Sequence, residues 1–120
     1  MKIAISSEGT TLNSKADPRF GRCTYFLLVD EDSGEILPVV NPAANAMGGA
    51  GPQAAQTLSE KKVGVVVTGN LGPNAAKSLN ALGIKAYRFD VGTVKDALEA
   101  YKQGKLTAFA GATVKGHHGM

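Results

Sequence analysis

The chain has 120 residues, of which 43% are hydrophobic and 19% are charged, as expected for one domain with its own core. Its net charge of +3 is too weak and too scattered for a nucleic-acid-binding surface. The single cysteine, Cys23, excludes an internal disulfide and any zinc or iron–sulfur site built from cysteines alone. Without a long apolar run or a signal peptide, we expect a soluble cytoplasmic protein that contacts neither membranes nor nucleic acid.

Three strands are predicted in the first half of the chain, where apolar, aromatic and β-branched residues cluster. They span residues 2–6, 24–30 and 35–40. Turn residues between the second and third strands predict a hairpin. Pro38, which has no backbone N–H to donate, favours an edge position for the third strand.

The second half of the chain predicts helices that alternate with strands. Apolar residues at helical spacing predict three helices, which begin near Pro52, near Pro73 and after an N-cap at Thr93. Strands are predicted over 63–67 and 84–89, and the first of these is nearly continuous in valine, which is typical of a strand buried on both faces. The order of elements is therefore βββαβαβα.

This order predicts a five-stranded mixed α/β sheet with three helices and the strand order 3-2-1-4-5. Only the second strand is antiparallel to the others, and the two most apolar strands lie at the centre. The arrangement is ribonuclease-H-like. The predicted domain covers residues 1–104, and residues 105–120 are predicted to be an irregular tail that carries glycines and histidines.

The topology brings the irregular segments to one edge of the sheet, where open α/β sheets bind their ligands. The segments expected to meet there are 7–23, 41–51, 69–72 and 90–92. All three helices begin at this edge, and the unsatisfied N–H groups of helix N-termini attract anions. Arg19 and Arg22 add positive charge, and Cys23 lies on the same rim. The sequence therefore predicts an anion-binding site.

Each of these side chains also has a simpler interpretation. Cys23 is as readily an inert buried thiol as a ligand, although its neighbour Arg22 would favour the thiolate. Arg19 and Arg22 are alternatively surface charges or ion-pair partners of Asp17. These alternatives stay open at the level of the sequence.

The sequence does not indicate an enzyme. A G-x-G-x-x-A pattern over 49–54 follows an irregular segment and not a strand, which argues against dinucleotide binding. A two-metal nuclease needs several converging carboxylates, and the first strand has none. His117 and His118, which are either metal ligands or loose polar residues, are confined to the tail, so no Ser-His-Asp or Cys-His-Asn set is formed.

Two motifs resemble the dinitrogenase iron–molybdenum cofactor biosynthesis family. They are Asp-Pro-Arg-Phe-Gly-Arg-Cys at 17–23, joined to the strand over 25–30, and Val-Thr-Gly-Asn-Leu-Gly-Pro-Asn-Ala at 67–75, and residues 48–55 extend the match. Members similar to this chain include NifX-type carriers, the C-terminal part of NifB and small stand-alone proteins, one type of which holds a molybdenum–copper sulfide cluster non-covalently. The resemblance implies a ribonuclease-H-like fold and a non-catalytic carrier or scaffold.

The resemblance also implies the cargo and the residues that contact it. The cargo is an anionic iron- or molybdenum-containing sulfide cluster, bound transiently and exchanged with donor and acceptor proteins. Arg19, Phe20 and Arg22 would lie near the cluster. Backbone N–H groups would hydrogen-bond its sulfides around Gly49, Gly51, Asn70 and Gly72. The candidate metal ligands are Cys23, His117 and His118. The alternative is a metal-free interaction or regulatory module that uses the same edge.

Overall fold

A computed structural model describes residues 1–109, which form three helices and one mixed sheet of six strands. The strands are β1 (Lys2–Ser7), β2 (Tyr25–Asp30), β3 (Ile36–Val40), β4 (Val63–Thr68), β5 (Lys85–Arg88) and β6 (Thr107–Ala108). The helices are α1 (Ala50–Glu60), α2 (Pro73–Ala81) and α3 (Val94–Lys102). Among these residues, no helix is both long and apolar enough to cross a membrane.

The strand order is β3-β2-β1-β4-β5-β6, which confirms the predicted order of the first five strands. As predicted, β2 is antiparallel to its neighbours, β1 and β4 are parallel at the centre, and β3, which contains Pro38, lies at an edge. The ribonuclease-H-like assignment stays a prediction.

The prediction of five strands was wrong, because β6 adds an antiparallel strand beside β5. Part of the segment 105–120, predicted to be irregular, therefore belongs to the sheet. Two residues are too few to show the alternation of apolar and polar side chains that predicts a strand. Strand β6 pairs with backbone groups of β5 that would otherwise have no partner at the edge of the sheet. His117 and His118 lie outside the described residues.

The two faces of the sheet carry separate cores. Ala4 and Val66 face the side covered by α1 and α2. Ile5 and Val67, which follow them along the same strands, face the side covered by α3. This alternation explains why β1 and β4 are apolar along their whole length, since successive side chains of a strand point to opposite faces.

The helices begin at the edge of the sheet where β1 and β4 end. Helix α2 begins at Pro73, as predicted, whereas α1 begins at Ala50, two residues before the predicted Pro52. Either proline is tolerated in a first turn, because N–H groups there have no acceptor within the helix. The predicted N-cap of α3 at Thr93 is confirmed.

Candidate anion-binding site

Residues 8–23 form a long loop, here called the hub loop, that touches each of the other segments predicted to share its edge, while Ser7 belongs to β1. The N–H of Ala16 donates to the carbonyl of Gly92 at 2.9 Å, and the N–H of Asn70 donates to the carbonyl of Pro18 at 2.7 Å. The segment 41–51 is likewise hydrogen-bonded to the hub loop. The prediction that these four segments meet is therefore confirmed.

Glycines allow the hub loop and the first turns of α1 and α2 to approach closely. A Cβ atom on Gly21 would lie 2.9 Å from the backbone nitrogen of Gly51, and one on Gly51 would lie 2.7 Å from the Cβ of Ala75. A Cβ on Gly69 would lie 2.7 Å from the Cα of Pro18. Any side chain at these three positions would push backbones apart, so the glycines bring the N-termini of α1 and α2 together beneath the hub loop.

Both of these helices begin without a side-chain cap. Their N-cap residues are Gly49 and Gly72, and neither helix has an acidic residue in its first turn. Within residues 1–109, four first-turn N–H groups have no hydrogen-bond partner, those of Ala50, Gly51, Asn74 and Ala75. Since a helix N-terminus carries about half a positive charge, the two adjacent ends form a positive surface with unused donors, although Ala50 and Ala75 are themselves buried and only Asn74 is exposed.

Each of the two N-cap glycines has open space on one side. A Cβ atom on Gly49 or on Gly72 would meet no other atom within 4 Å. Gly49 has a φ of 68°, which favours glycine, whereas Gly72 has a φ of −75° and a ψ of 168°, which any residue adopts. No other part of the described chain therefore covers this side of either N-cap. Asn70 is different, because its N–H is already donated to the hub loop.

The N-terminus of α3 is closed, so the prediction that all three helices offer free N–H groups was wrong for this one. The Thr93 hydroxyl accepts a hydrogen bond from the N–H of Asp96, and the Asp96 carboxylate accepts one from the N–H of Thr93. The Thr93 backbone N–H lowers the pKa of Asp96. The hub loop supplies a further acceptor, since the N–H of Val94 donates to the carbonyl of Ser14 at 2.8 Å.

Arg19 forms the predicted ion pair with Asp17, and its role near a cargo stays a prediction. The Asp17 side chain is only 1% exposed and accepts hydrogen bonds from Nε and Nη2 of Arg19 at 3.1 and 2.9 Å. The hydrogen bond and the negative charge of Asp17 raise the pKa of Arg19. The positive charge of Arg19 is therefore balanced by a buried carboxylate, although 61% of its side chain is exposed.

Arg22 is exposed at the edge and turned toward the segment 41–51. Its Nη1 donates to the carbonyl of Ala44 at 3.4 Å and to the carbonyl of Ala46. The same segment is held at its start by Asn41, whose side-chain amide donates to the carbonyl of Gly21 at 3.0 Å. Sequence reasoning did not single out Asn41, although an asparagine directly after a strand and before a proline is a common turn residue.

Phe20 and Cys23 lie beneath the site and not on its surface. The ring of Phe20 packs against that of Phe26, with 5.5 Å between centroids. The Cys23 thiol is fully buried, donates to the carbonyl of Phe20 at 3.4 Å, and lies 3.7 Å from the side-chain nitrogen of Asn41. Burial raises the pKa of Cys23 to about 12, so the thiol is protonated at neutral pH. Its role as a metal ligand stays a prediction.

Two further observations on the described residues concern metal binding and exposure at this edge. No group of three or more His, Cys, Asp or Glu side chains in the range 1–109 is placed to hold a metal ion. Met47, beside the glycines that precede α1, is fully exposed. Met47 was not predicted to be a site residue, because a single methionine between polar and small residues carries no periodic signal.

Comparisons with known proteins give one family model and several similar proteins. The family model described as dinitrogenase iron-molybdenum cofactor matches residues 1–104. An uncharacterized protein of Methanocaldococcus jannaschii, MJ0580, is 31% identical over 112 residues, which cover 91% of this chain and 92% of that protein. The apo form of the orange protein from Desulfovibrio gigas superposes with a TM-score of 0.91 and 36% identity, covering 94% of this chain and 96% of that one. A Thermotoga protein provisionally described as a NifB protein gives a TM-score of 0.85 and 39% identity, covering 96% and 98%.

Proposed function

The chain belongs to the dinitrogenase iron-molybdenum cofactor family, and from this premise we propose that it binds and carries an anionic metal–sulfur cluster without catalysing a reaction. The observation that carries the proposal is the pair of adjacent, uncapped N-termini of α1 and α2, open to solvent at Gly49 and Gly72. The similar orange protein was solved in an apo form, so that protein also has a form with a bound group. This likeness supports the proposal.

The chemistry of this surface suits a cluster that brings its own sulfide ligands. Sulfide atoms at the surface of an anionic cluster accept hydrogen bonds, and the N–H groups of Ala50, Gly51, Asn74 and Ala75 are donors without another partner in the described chain. The two helix dipoles add attraction for negative charge. Glycine at both N-caps lets a cluster wider than a single ion reach the backbone.

The same features make the proposed complex labile. Backbone hydrogen bonds and helix dipoles hold an anion without a covalent bond, and salt weakens attraction at an open surface. Cys23, the one thiol of the chain, is buried and protonated, so the proposal does not depend on thiolate ligation. A cargo held in this way passes readily to another protein, and we propose that the partners are a cluster donor and a cluster acceptor.

The direct test uses tetrathiomolybdate as the probe, added to the anaerobically purified protein. We expect the probe to co-elute with the protein in gel filtration, with shifted visible charge-transfer bands and an affinity that falls as salt concentration rises. Elemental analysis of the protein as isolated anaerobically provides a second readout. A protein that is isolated without metal and retains no tetrathiomolybdate at low salt would overturn the proposal and favour the metal-free interaction module.

A single methyl group tests whether the cargo lies against the N-terminus of α2. Gly72→Ala fits the backbone and meets no atom, so we expect its free energy of unfolding to stay within about 0.5 kcal/mol of the wild type. The methyl group would stand where the cargo approaches, and we expect at least about a tenfold loss of tetrathiomolybdate affinity. Asn80→Ala, at the exposed far end of α2, is the control and should bind normally. Equal affinities of all three proteins would exclude this position from the site.

A further inference from the structure

We infer that Arg22 is a positioning residue, which fixes the loop 41–49 so that the N-terminus of α1 faces the cargo, and that it acts through its hydrogen bonds to this loop and not through its charge. The inference rests on the proposed function for the identity of the cargo. It changes the role that the sequence suggested for Arg22, which is that of a positive charge beside the cluster.

Hydrogen bonds hold the loop at two places, and between them Ala43 is fully buried in the core. At its start, the N–H of Asn41 donates to the carbonyl of Thr24 at 3.0 Å, and its side-chain amide donates to the carbonyls of Gly21 and Cys23 at 3.0 and 2.9 Å. Farther along, Nη1 of Arg22 donates to two loop carbonyls. Asn41 therefore holds one end of the loop, and Arg22 holds its middle.

Between the Arg22 contact and α1, the chain is free of other anchors. The loop carbonyls that accept from Arg22 belong to Ala44 and Ala46, and the next residue, Met47, is fully exposed. A Cβ atom on either of the two glycines after Met47 would meet no other atom within 4 Å, and α1 then begins. Among the described hydrogen bonds, those of Arg22 are the last between this loop and another segment before the N-cap of α1.

The hydrogen bonds of Arg22 tie one nitrogen of its guanidinium to the loop. Both hydrogen bonds come from the same nitrogen, Nη1, which points toward the loop. A shift of the guanidinium toward an anion would leave two carbonyls without this donor and would release the segment that leads to α1. The contact of Gly21 with the backbone of Gly51 already places residue 22 beside the first turn of α1, so anchoring the loop there acts directly on the site.

The test separates the hydrogen-bonding capacity of residue 22 from its charge. Citrulline, a neutral analogue of arginine, keeps the N–H donors and their reach when it replaces Arg22, whereas Arg22→Met removes the donors and the charge. We expect Arg22→Met to lose about tenfold in tetrathiomolybdate affinity and to alter the charge-transfer bands of the bound probe. The citrulline protein should show the wild-type bands, with an affinity within about threefold of the wild type and an unchanged salt dependence. Lys61→Gln, at the far end of α1, controls for the lost charge.

The opposite result is equally clear. If the citrulline protein binds as weakly as Arg22→Met and both show a shallower salt dependence than Lys61→Gln, Arg22 contacts the cargo through its charge and the inference is wrong. Amide hydrogen exchange of residues 44–49 without any cargo gives an independent decision. Arg22→Met should raise exchange there and the citrulline protein should not. If the wild type binds no probe, the proposed function fails, while exchange still decides whether Arg22 anchors the loop.

Discussion

The N-terminus of α3 and the N-termini of α1 and α2 share one edge of the sheet and are built in opposite ways. At α3, Thr93 and Asp96 form a capping box, and the hub loop accepts a further hydrogen bond. At α1 and α2, the N-caps are glycines, no acidic residue lies in the first turn, and four N–H groups are unused within the described chain. The contrast shows where the protein leaves donors available for something else.

The difference has a cost in stability that binding can offset. A capping side chain contributes about 1 kcal/mol to a helix, and an acidic residue in the first turn contributes a few tenths more. Helices α1 and α2 lack both contributions. An anionic ligand that occupied the shared end would supply the missing acceptors and would stabilise the folded protein through its binding. Substitutions at both kinds of helix end, and at the buried thiol beneath them, test this contrast.

The close contact between the uncapped helices should be the most sensitive point. Gly51→Ala places a methyl group 2.7 Å from the Cβ of Ala75, so we expect a loss of about 1–3 kcal/mol in the free energy of unfolding, measured with urea. Ala75→Gly removes the nearest atom and should partly restore the stability of Gly51→Ala in a double-mutant cycle. A Gly51→Ala protein as stable as the wild type would show that the two N-termini are not tightly packed.

The capped helix should respond in stability and not in binding. Thr93→Ala removes the side-chain acceptor for the N–H of Asp96, and we expect a loss of about 1 kcal/mol in the free energy of unfolding. Tetrathiomolybdate affinity should be unchanged, because α3 lies on the other face of the sheet and its first turn is closed. A large loss of affinity without a loss of stability would move the site toward α3.

The buried thiol should make stability depend on alkaline pH. The pKa of Cys23 is raised from 9.0 to about 12 in the folded protein, so between these values the unfolded chain loses a proton that the folded chain keeps. Stability therefore falls as pH rises through this range, by about 1 kcal/mol between pH 9 and pH 10. The measurement is the difference in slope between the wild type and Cys23→Ala, in which this contribution is absent. Equal slopes would indicate an accessible, ordinary thiol.

The smallest change makes α2 resemble α3. Asn74→Asp introduces an acidic residue into an exposed first turn, and its interaction with the helix dipole should stabilise the protein by about 0.3–1 kcal/mol. The same charge would repel an anionic cargo, so affinity for tetrathiomolybdate should fall while thermal stability rises. Opposite signs in the two measurements would support a site that is kept open for an anion. A variant that binds more tightly would contradict it.

Much of the fold could be predicted because its signals are local. The apolar run of β4, the proline that begins α2 and the Thr93 cap each act within a few residues, and all three are confirmed. Strand β6 could not be predicted, because its two residues pair with β5 only after β5 has become an edge of the sheet. The start of α1 was placed two residues late, because glycine in a first turn looks like part of a loop.

For the candidate site, the sequence alone specifies which segments and residues belong to it and at which edge of the sheet they meet. Glycine-bearing segments, helix starts and basic residues follow strand ends in a pattern that depends only on chain order and topology. The contacts that each of these residues makes are set by the tertiary structure. In the folded protein, Arg19 is paired with Asp17, Cys23 is buried and Arg22 donates to loop carbonyls. The sequence could not predict these contacts, because they join side chains and backbone that no local pattern relates. The net charge of +3 therefore does not indicate where the proposed anion site lies, and the proposal rests on the unused backbone donors of two touching helices.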